Sequence, residues 1–203
     1  DNGAAGTVFD IDDASTLTLA DAATVTTGTG GAVAFDGDST GALSIGTGAF
    51  TLDGTFNETQ FTSVTTGADM TSTSTINFDN AVTMTQDLML QGTTVSFGST
   101  LNGTTADTEG LTVTGNGSFA ANVGTGTRLE FLTVTGDTSI AAEINTANAL
   151  NLTGAVTLTG DATLNASDVT FGSTIDGDGV TPRTLTVNTS GNGLTSFGGA
   201  VGD

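Results

Sequence analysis

The side chains of this chain that can act as acids, bases or metal ligands are almost all carboxylates: 18 Asp and 4 Glu, set against two arginines, Arg128 and Arg183. There is no Lys, His, Cys, Trp or Tyr. Three carboxylate groupings have close spacing: Asp10, Asp12 and Asp13; Asp36 and Asp38; Asp176 and Asp178. A pair of carboxylates flanking one bond is what glycoside cleavage requires. Each grouping, however, sits in a Gly- or Ser-containing stretch where Asp serves as a turn former. The Trp and Tyr platforms that sugar clefts favour are missing, and so is a supply of basic residues for lyase chemistry. No catalytic residue is assigned, and the chain is expected not to be an enzyme.

Calcium is the other use for such oxygens, because hard cations collect several of them at about 2.3–2.6 Å. Asp36-Gly-Asp38 and Asp176-Gly-Asp178 each offer two, and these four are the candidate calcium ligands. Neither the Gly-rich calcium nonapeptide nor a twelve-residue helical calcium loop is present, and no other cofactor is expected. A net charge of −20 with only two cations leaves no electrostatic footprint for phosphate, which excludes nucleic acid and an anionic membrane. Diffuse cation binding is expected instead, since self-repulsion otherwise opposes close packing of copies.

The elements that must position these groups are strands. The 203 residues fit one domain, with 45 Thr, 30 Gly and a single proline, Pro182, and β-branched residues favour strands. Apolar–polar–apolar triplets recur along the chain, among them Leu17-Thr18-Leu19, Val33-Ala34-Phe35, Val82-Thr83-Met84, Val95-Ser96-Phe97 and Leu185-Thr186-Val187. Alternation of period two places the apolar members on a core, and a Gly, Asn or Asp soon follows to make a turn. The best helical candidate, 140–150, lacks a continuous apolar face. Eleven Phe are the only aromatics, and Phe97, Phe171 and Phe197 are expected in the core.

Repeats choose among all-β architectures. Val95-Ser-Phe-Gly-Ser-Thr-Leu-Asn-Gly103 matches Val169-Thr-Phe-Gly-Ser-Thr-Ile-Asp-Gly177, and Val82-Thr-Met84 matches Val156-Thr-Leu158, both at an offset of 74. With a fainter N-terminal copy, pseudo-repeats fall at about 16–53, 76–123 and 150–201. Inside them, Leu111-Thr-Val-Thr-Gly115 recurs 21 residues on as Leu132-Thr-Val-Thr-Gly136, and Val156-Thr-Leu-Thr-Gly160 follows after another 24. A period of about 20–25 residues holding three short strands is one coil of a β-solenoid. The fold expected is all-β: a parallel β-helix-like solenoid of about nine short coils, roughly 40–45 Å long. The alternative is an antiparallel β-sandwich with strand donation.

These Gly/Thr-rich segments, with Ser196-Phe-Gly-Gly-Ala-Val-Gly202, resemble the strand repeats of large bacterial surface proteins, the passenger regions of autotransporter and filamentous-haemagglutinin-like adhesins. The resemblance covers about residues 76–203 and implies a secreted, cell-surface, prokaryotic β-solenoid. No charged n-region with an apolar stretch opens the chain, as expected of a mature secreted form. The family's secretion domain and membrane barrel are not expected within these residues, which leaves a fragment or a free subunit that gains length by assembly.

No cap is evident at either end. Thr7-Val-Phe-Asp-Ile11 is a good strand, and 195–201 is still in repeat. Exposed strand edges favour head-to-tail contacts that run on into filaments, with Val8, Phe9, Ile11, Phe197 and Val201 as the expected polymer interface. The chain is therefore expected to be an extracellular structural subunit that pairs with copies of itself in a surface filament or matrix fibre. A second expectation is an adhesin segment whose side loops, 102–110 or 177–183, bind a surface or glycan partner. A third is an ice-binding solenoid, drawn from Thr-x-Thr pairs at 16/18, 24/26, 83/85, 112/114, 133/135, 157/159 and 184/186.

Overall fold

The structure, a computed structural model, describes residues 7–11, 16–19, 24–25, 31–37 and 41–202. These residues hold 24 strands and no helix. Every strand pair is parallel. Parallel pairing throughout excludes the antiparallel sandwich and makes the chain a β-solenoid.

The strands form three ladders, the three faces of the coil. The first face stacks Thr7–Ile11, Gly31–Gly37, Gly54–Thr59, Thr75–Phe78, the C-terminal halves of Leu88–Phe97 and Leu111–Phe119, then Thr138–Ile140, Val156–Leu158 and Ile175–Gly177. The second stacks Thr16–Leu19, Ala42–Ile45, Ser63–Thr66, Val82–Met84, Leu101–Gly103, a single bridge at Val123, Glu143–Asn145, Ala162–Ala166 and Leu185–Thr189. The third stacks Thr24–Val25, Phe50–Leu52, Met70–Ser72, the N-terminal halves of Leu88–Phe97 and Leu111–Phe119, then Leu132–Val134, Ala149–Leu152, Asp168–Phe171 and Thr195–Phe197. The chain visits the faces in this order, so each ladder has nine rungs with eight turns between first and ninth, and a bridge from Val201 to Ile175 begins a tenth on the first face. Register partners on the first face lie from 18 residues (Thr138 and Val156) to 26 residues (Thr7 and Val33) apart. At about 4.8 Å per rung, eight steps make a rod of about 38 Å.

The alternating triplets do what their pattern requires. Val82, Met84, Leu111, Val113, Leu132 and Val134 are buried, while the Thr between each pair faces outward. Inside the first face, Phe35, Phe56, Phe78, Phe97 and Phe119 form an aromatic column with successive ring centroids 5.2–5.6 Å apart. Ile140 and Leu158 continue it where the aromatics end. Such rings exclude water and add stacking contacts beyond their area.

Glycine marks the corner between the third and first faces because successive backbones come too close there for a side chain. A Cβ on Gly115, whose φ is +123°, would lie 1.9 Å from the carbonyl oxygen of Gly92. One coil later, a Cβ on Gly136 would lie 2.6 Å from the carbonyl oxygen of Gly115. This is the physical content of the Leu-Thr-Val-Thr-Gly motif: two inward residues, two outward threonines, one corner.

The two periods in the sequence have different standing in the coil. The 21-residue step is a true turn, since Leu111 pairs with Leu132. The next step is not: Leu132 pairs with Leu150 rather than Val156. The offset of 74 also changes face. Val82 lies on the second face and Val156 on the first, while Val95 lies on the first and Val169 on the third. Each match is eleven strands further along, one short of four coils. The 74-residue match thus repeats a strand with its turn, while the 21-residue match repeats a coil.

Candidate functional site

Of the carboxylates singled out by spacing, the structure describes the side chains of Asp176 and Asp178. Asp176 sits on the outward side of the first face beside Thr157. Asp178, just beyond it, is engaged on both oxygens: Arg183 Nη2 donates to Oδ2 at 2.5 Å and the Val180 N–H donates to Oδ1 at 3.1 Å. The Arg183 hydrogen bond, reinforced by the backbone of Val180, pulls the Asp178 carboxyl down to about 2. Asp36 lies in register between Asp10 and Thr59, its side chain outside the described structure, and Asp38 lies outside the described residues. Among the described residues no three Asp or Glu side chains gather as a metal-binding group.

Two buried carboxylates escaped the sequence reading, and both hold corners. Glu58 is the register partner of both Phe35 and Phe78, two residues beyond the Phe56 ring that stacks between them, and its side chain is fully buried. The N–H groups of Asp79 and Asn80 donate to Oε2, each at 3.1 Å, and Asn80 Nδ2 donates to Oε1 at 2.9 Å. Burial pushes the Glu58 carboxyl above its usual range, against the opposing pull of these bonds. Glu109 turns inward below the loop 104–110, taking Thr104 Oγ1 at 2.5 Å and the Thr105 N–H. Burial pushes that carboxyl up, but the hydrogen bonds outweigh it and hold it below the usual range. The signal for Glu58 was present: in Phe56-Asn57-Glu58 the alternation puts a charge where an apolar residue belongs.

The two side loops expected to bind partners are seven-residue links between strands, 104–110 and 178–184. Loop 104–110 is pinned by a bidentate pair, in which Arg128 Nε and Nη2 donate to the two oxygens of Asp107 at 2.6 and 2.7 Å. With 124–128 it walls an open polar cleft of about 710 Å³ lined by Thr104, Thr105, Thr125, Thr127 and Asn145. The Thr-x-Thr pairs fall on all three faces, and only 112/114 and 133/135 are neighbours in a stack.

Among the described residues, exposed apolar side chains gather most densely at 180–201. Leu194, Phe197 and Val201 are 67%, 51% and 54% exposed, and Val180 in the adjoining loop is 79% exposed. Phe197 stacks on Phe171 at 5.3 Å and is open on its other side. Beside them opens a cavity of about 750 Å³ walled by Leu158, Ile175, Gly177, Leu185, Val201 and the 179–183 loop. Of the predicted interface residues, Phe197 and Val201 are thus at this end. Val8, Phe9 and Ile11 are on the first rung, where their strand pairs with Gly31–Gly37 and their side chains lie outside the described structure.

The parallel ladders of the described residues define a β-solenoid. No family model, curated protein or solved structure matches the chain.

Proposed function

We propose that this chain is a structural subunit that assembles head to tail into an extracellular filament or matrix fibre. The observation that carries this reading is that, among the described residues, strands Leu185–Thr189 and Thr195–Phe197 each pair on one edge alone, beside the exposed Leu194, Phe197 and Val201. Unpaired parallel edges recruit further strands, and heterologous contacts that do not close generate filaments. Load would run through the backbone ladders, with the inward Phe, Leu, Val and Ile columns keeping water out. Outward Thr, Asn and Asp would hydrate the fibre. A surface of charge −20 calls for screening by salt or divalent cations before copies approach. Electron microscopy and sedimentation of the purified chain at moderate ionic strength should show filaments or a concentration-dependent series of oligomers. Monomers alone, at every salt and protein concentration, would overturn the reading.

The polar cleft beside loop 104–110 favours a second reading, an adhesin segment that engages a surface or glycan through Thr hydroxyls and the Asp107–Arg128 pair. Deleting that loop should then abolish attachment and leave assembly intact.

A further inference from the structure

Polar groups that the coil does not use gather along the second face. The cleft between loops 104–110 and 124–128, about 710 Å³, adjoins a second cavity of about 390 Å³ walled by Asn165, Asn188 and Ser190, and Arg128 and Asn145 line both. Together they make a trough that climbs from Thr104, just past the fifth rung of that face, to Asn188 on the ninth. At about 4.8 Å per rung it runs about 19 Å along the rod. Thr105, Thr125 and Thr127 line its lower part, and their hydroxyls have no hydrogen-bond partner among the described residues. Asn145 accepts from Asn165 Nδ2 and keeps its own amide N–H groups free. Asn188 donates to Asn165 at 2.8 Å and keeps its oxygen free.

The lining decides what such a trough can hold. An anionic ligand meets a chain of charge −20 and an Arg128 already neutralised by Asp107. A cationic ligand finds one other carboxylate, Glu143, and that already accepts from Asn165 Nδ2 at 2.9 Å. A peptide strand finds no open edge, because Glu143–Asn145 pairs with Ala162–Ala166 on one side and bridges Val123 on the other. The only apolar side chains in the walls are Ala106 and Ala166. What remains is a neutral chain rich in hydroxyls. Threonine hydroxyls and asparagine amides both donate and accept. The Asp107–Arg128 pair sets carboxylate lone pairs beside the spare Nη1 donor in one plane, a match for two neighbouring hydroxyls. The cleft is also preformed: Asp107 is held at a φ of +68° and its N–H donates to the Arg128 carbonyl at 2.9 Å, so binding orders little.

We infer that this trough binds a neutral, linear, extended glycan lying parallel to the rod axis. A sugar ring in an extended β-linked chain advances by nearly the length of one rung, so four or five sugars fill the trough, one to a rung. The first sugars meet the Asp107–Arg128 pair and the free threonine hydroxyls, and the later ones reach Asn145 and Asn188. No aromatic ring lines the walls. Each sugar therefore gains only the small net contribution of its hydrogen bonds, and affinity accumulates with chain length. This inference rests on the adhesin reading and adds to it the ligand class, the direction and the number of subsites.

The test is an NMR titration of the full chain with β-1,4-linked glucose, xylose and N-acetylglucosamine oligomers of two to six units. At least one series should shift the amide signals of Thr105, Gly126, Asn145 and Asn188, with Kd falling about tenfold or more from the disaccharide to the pentasaccharide. The double variant Thr105→Val, Thr125→Val removes two hydroxyls that bond nothing in the coil. It should weaken the pentasaccharide at least fivefold while leaving the melting temperature unchanged. Asn188→Ala should weaken the pentasaccharide and leave the disaccharide as it was. No shift with any of the three series, one affinity at every length, or tighter binding of a sulfated hexasaccharide would overturn the glycan assignment. The adhesin reading stands or falls separately: it is overturned if deletion of 104–110 leaves attachment intact, whatever the titrations show.

Discussion

Replacing Glu58 tests whether a buried carboxylate can hold a corner of the coil. In Glu58→Ala, the N–H groups of Asp79 and Asn80 and the amide of Asn80 all lose their acceptor. A donor stranded by a mutation costs about 1–3 kcal/mol, and this corner borders solvent, so the lower end applies. The expected loss is about 3 kcal/mol, equivalent to a fall in melting temperature of about 6–12 °C for a chain of this size. Glu58→Gln keeps one oxygen for the two backbone donors and regains the third bond when the Asn80 amide turns over. It should stay within about 1 kcal/mol of the parent at neutral pH. The pH dependence separates the charge from the bonds. Burial raises the carboxyl of Glu58 above its ordinary 4.5, so the native state holds that proton more tightly than the unfolded chain. The stability contributed by protonation is fully present below the ordinary value and is lost as pH rises through the folded-state value. Urea unfolding of parent and Glu58→Gln from pH 4 to 8 should therefore show the parent losing ground to the variant as pH rises. Parallel profiles, or a variant that falls behind the parent as pH rises, would refute the assignment of the charge cost to Glu58.

Phe78→Ala removes a fully buried ring from between Phe56 and Phe97 and should cost about 3–5 kcal/mol in equilibrium unfolding. Gly115→Ala forces a Cβ onto the Gly92 carbonyl at a φ of +123°, and should destabilise by more than the ~1 kcal/mol of an ordinary glycine replacement, measured the same way. For Asp178 the folded-state carboxyl is depressed to about 2, so its contribution is present above the ordinary value of 3.8 and lost as pH falls through about 2. NMR titration of that carboxyl should show a midpoint near 2 in the parent and a return toward the ordinary value in Arg183→Gln. Assembly should rise with NaCl from about 10 to 150 mM, as the Debye length shrinks from about 30 to 8 Å; light scattering that falls over that range would oppose the proposed role of charge.

The fold was legible because each strand announces itself twice, by alternation and by the glycine after it. In Leu111-Thr-Val-Thr-Gly115 the inward pair, the outward pair and the corner are all visible in five letters. The face on which a strand lands was not legible. Corners absorb anything from the short link at Gln91–Thr94 to the long loop 104–110, so residue offsets do not count turns of the coil. That is why a repeat of 74 residues looked like whole coils and proved to be eleven strands. Site residues divided in the same way. Phe197 and Val201 are exposed beside the last strands of the described residues, a position that the repeat pattern makes legible. The partnership of Asp178 with Arg183 depends on how the 178–183 loop folds back, and spacing alone offered calcium as readily. Glu58 was visible as a charge at an inward position, but what stabilises it was not: the next coil brings two N–H groups and an amide over it.

The mismatch between the repeat and the coil has a consequence for how such a chain can change. If the unit of duplication is one strand with its turn, gaining or losing a single unit leaves every ladder paired but rotates all that follows by a third of a turn. A patch downstream would then be carried to a different side of the rod without altering one of its own residues. The coil works like a combination dial, in which each added strand advances the remaining surface by one position and the core, apolar on every face, fits at each setting.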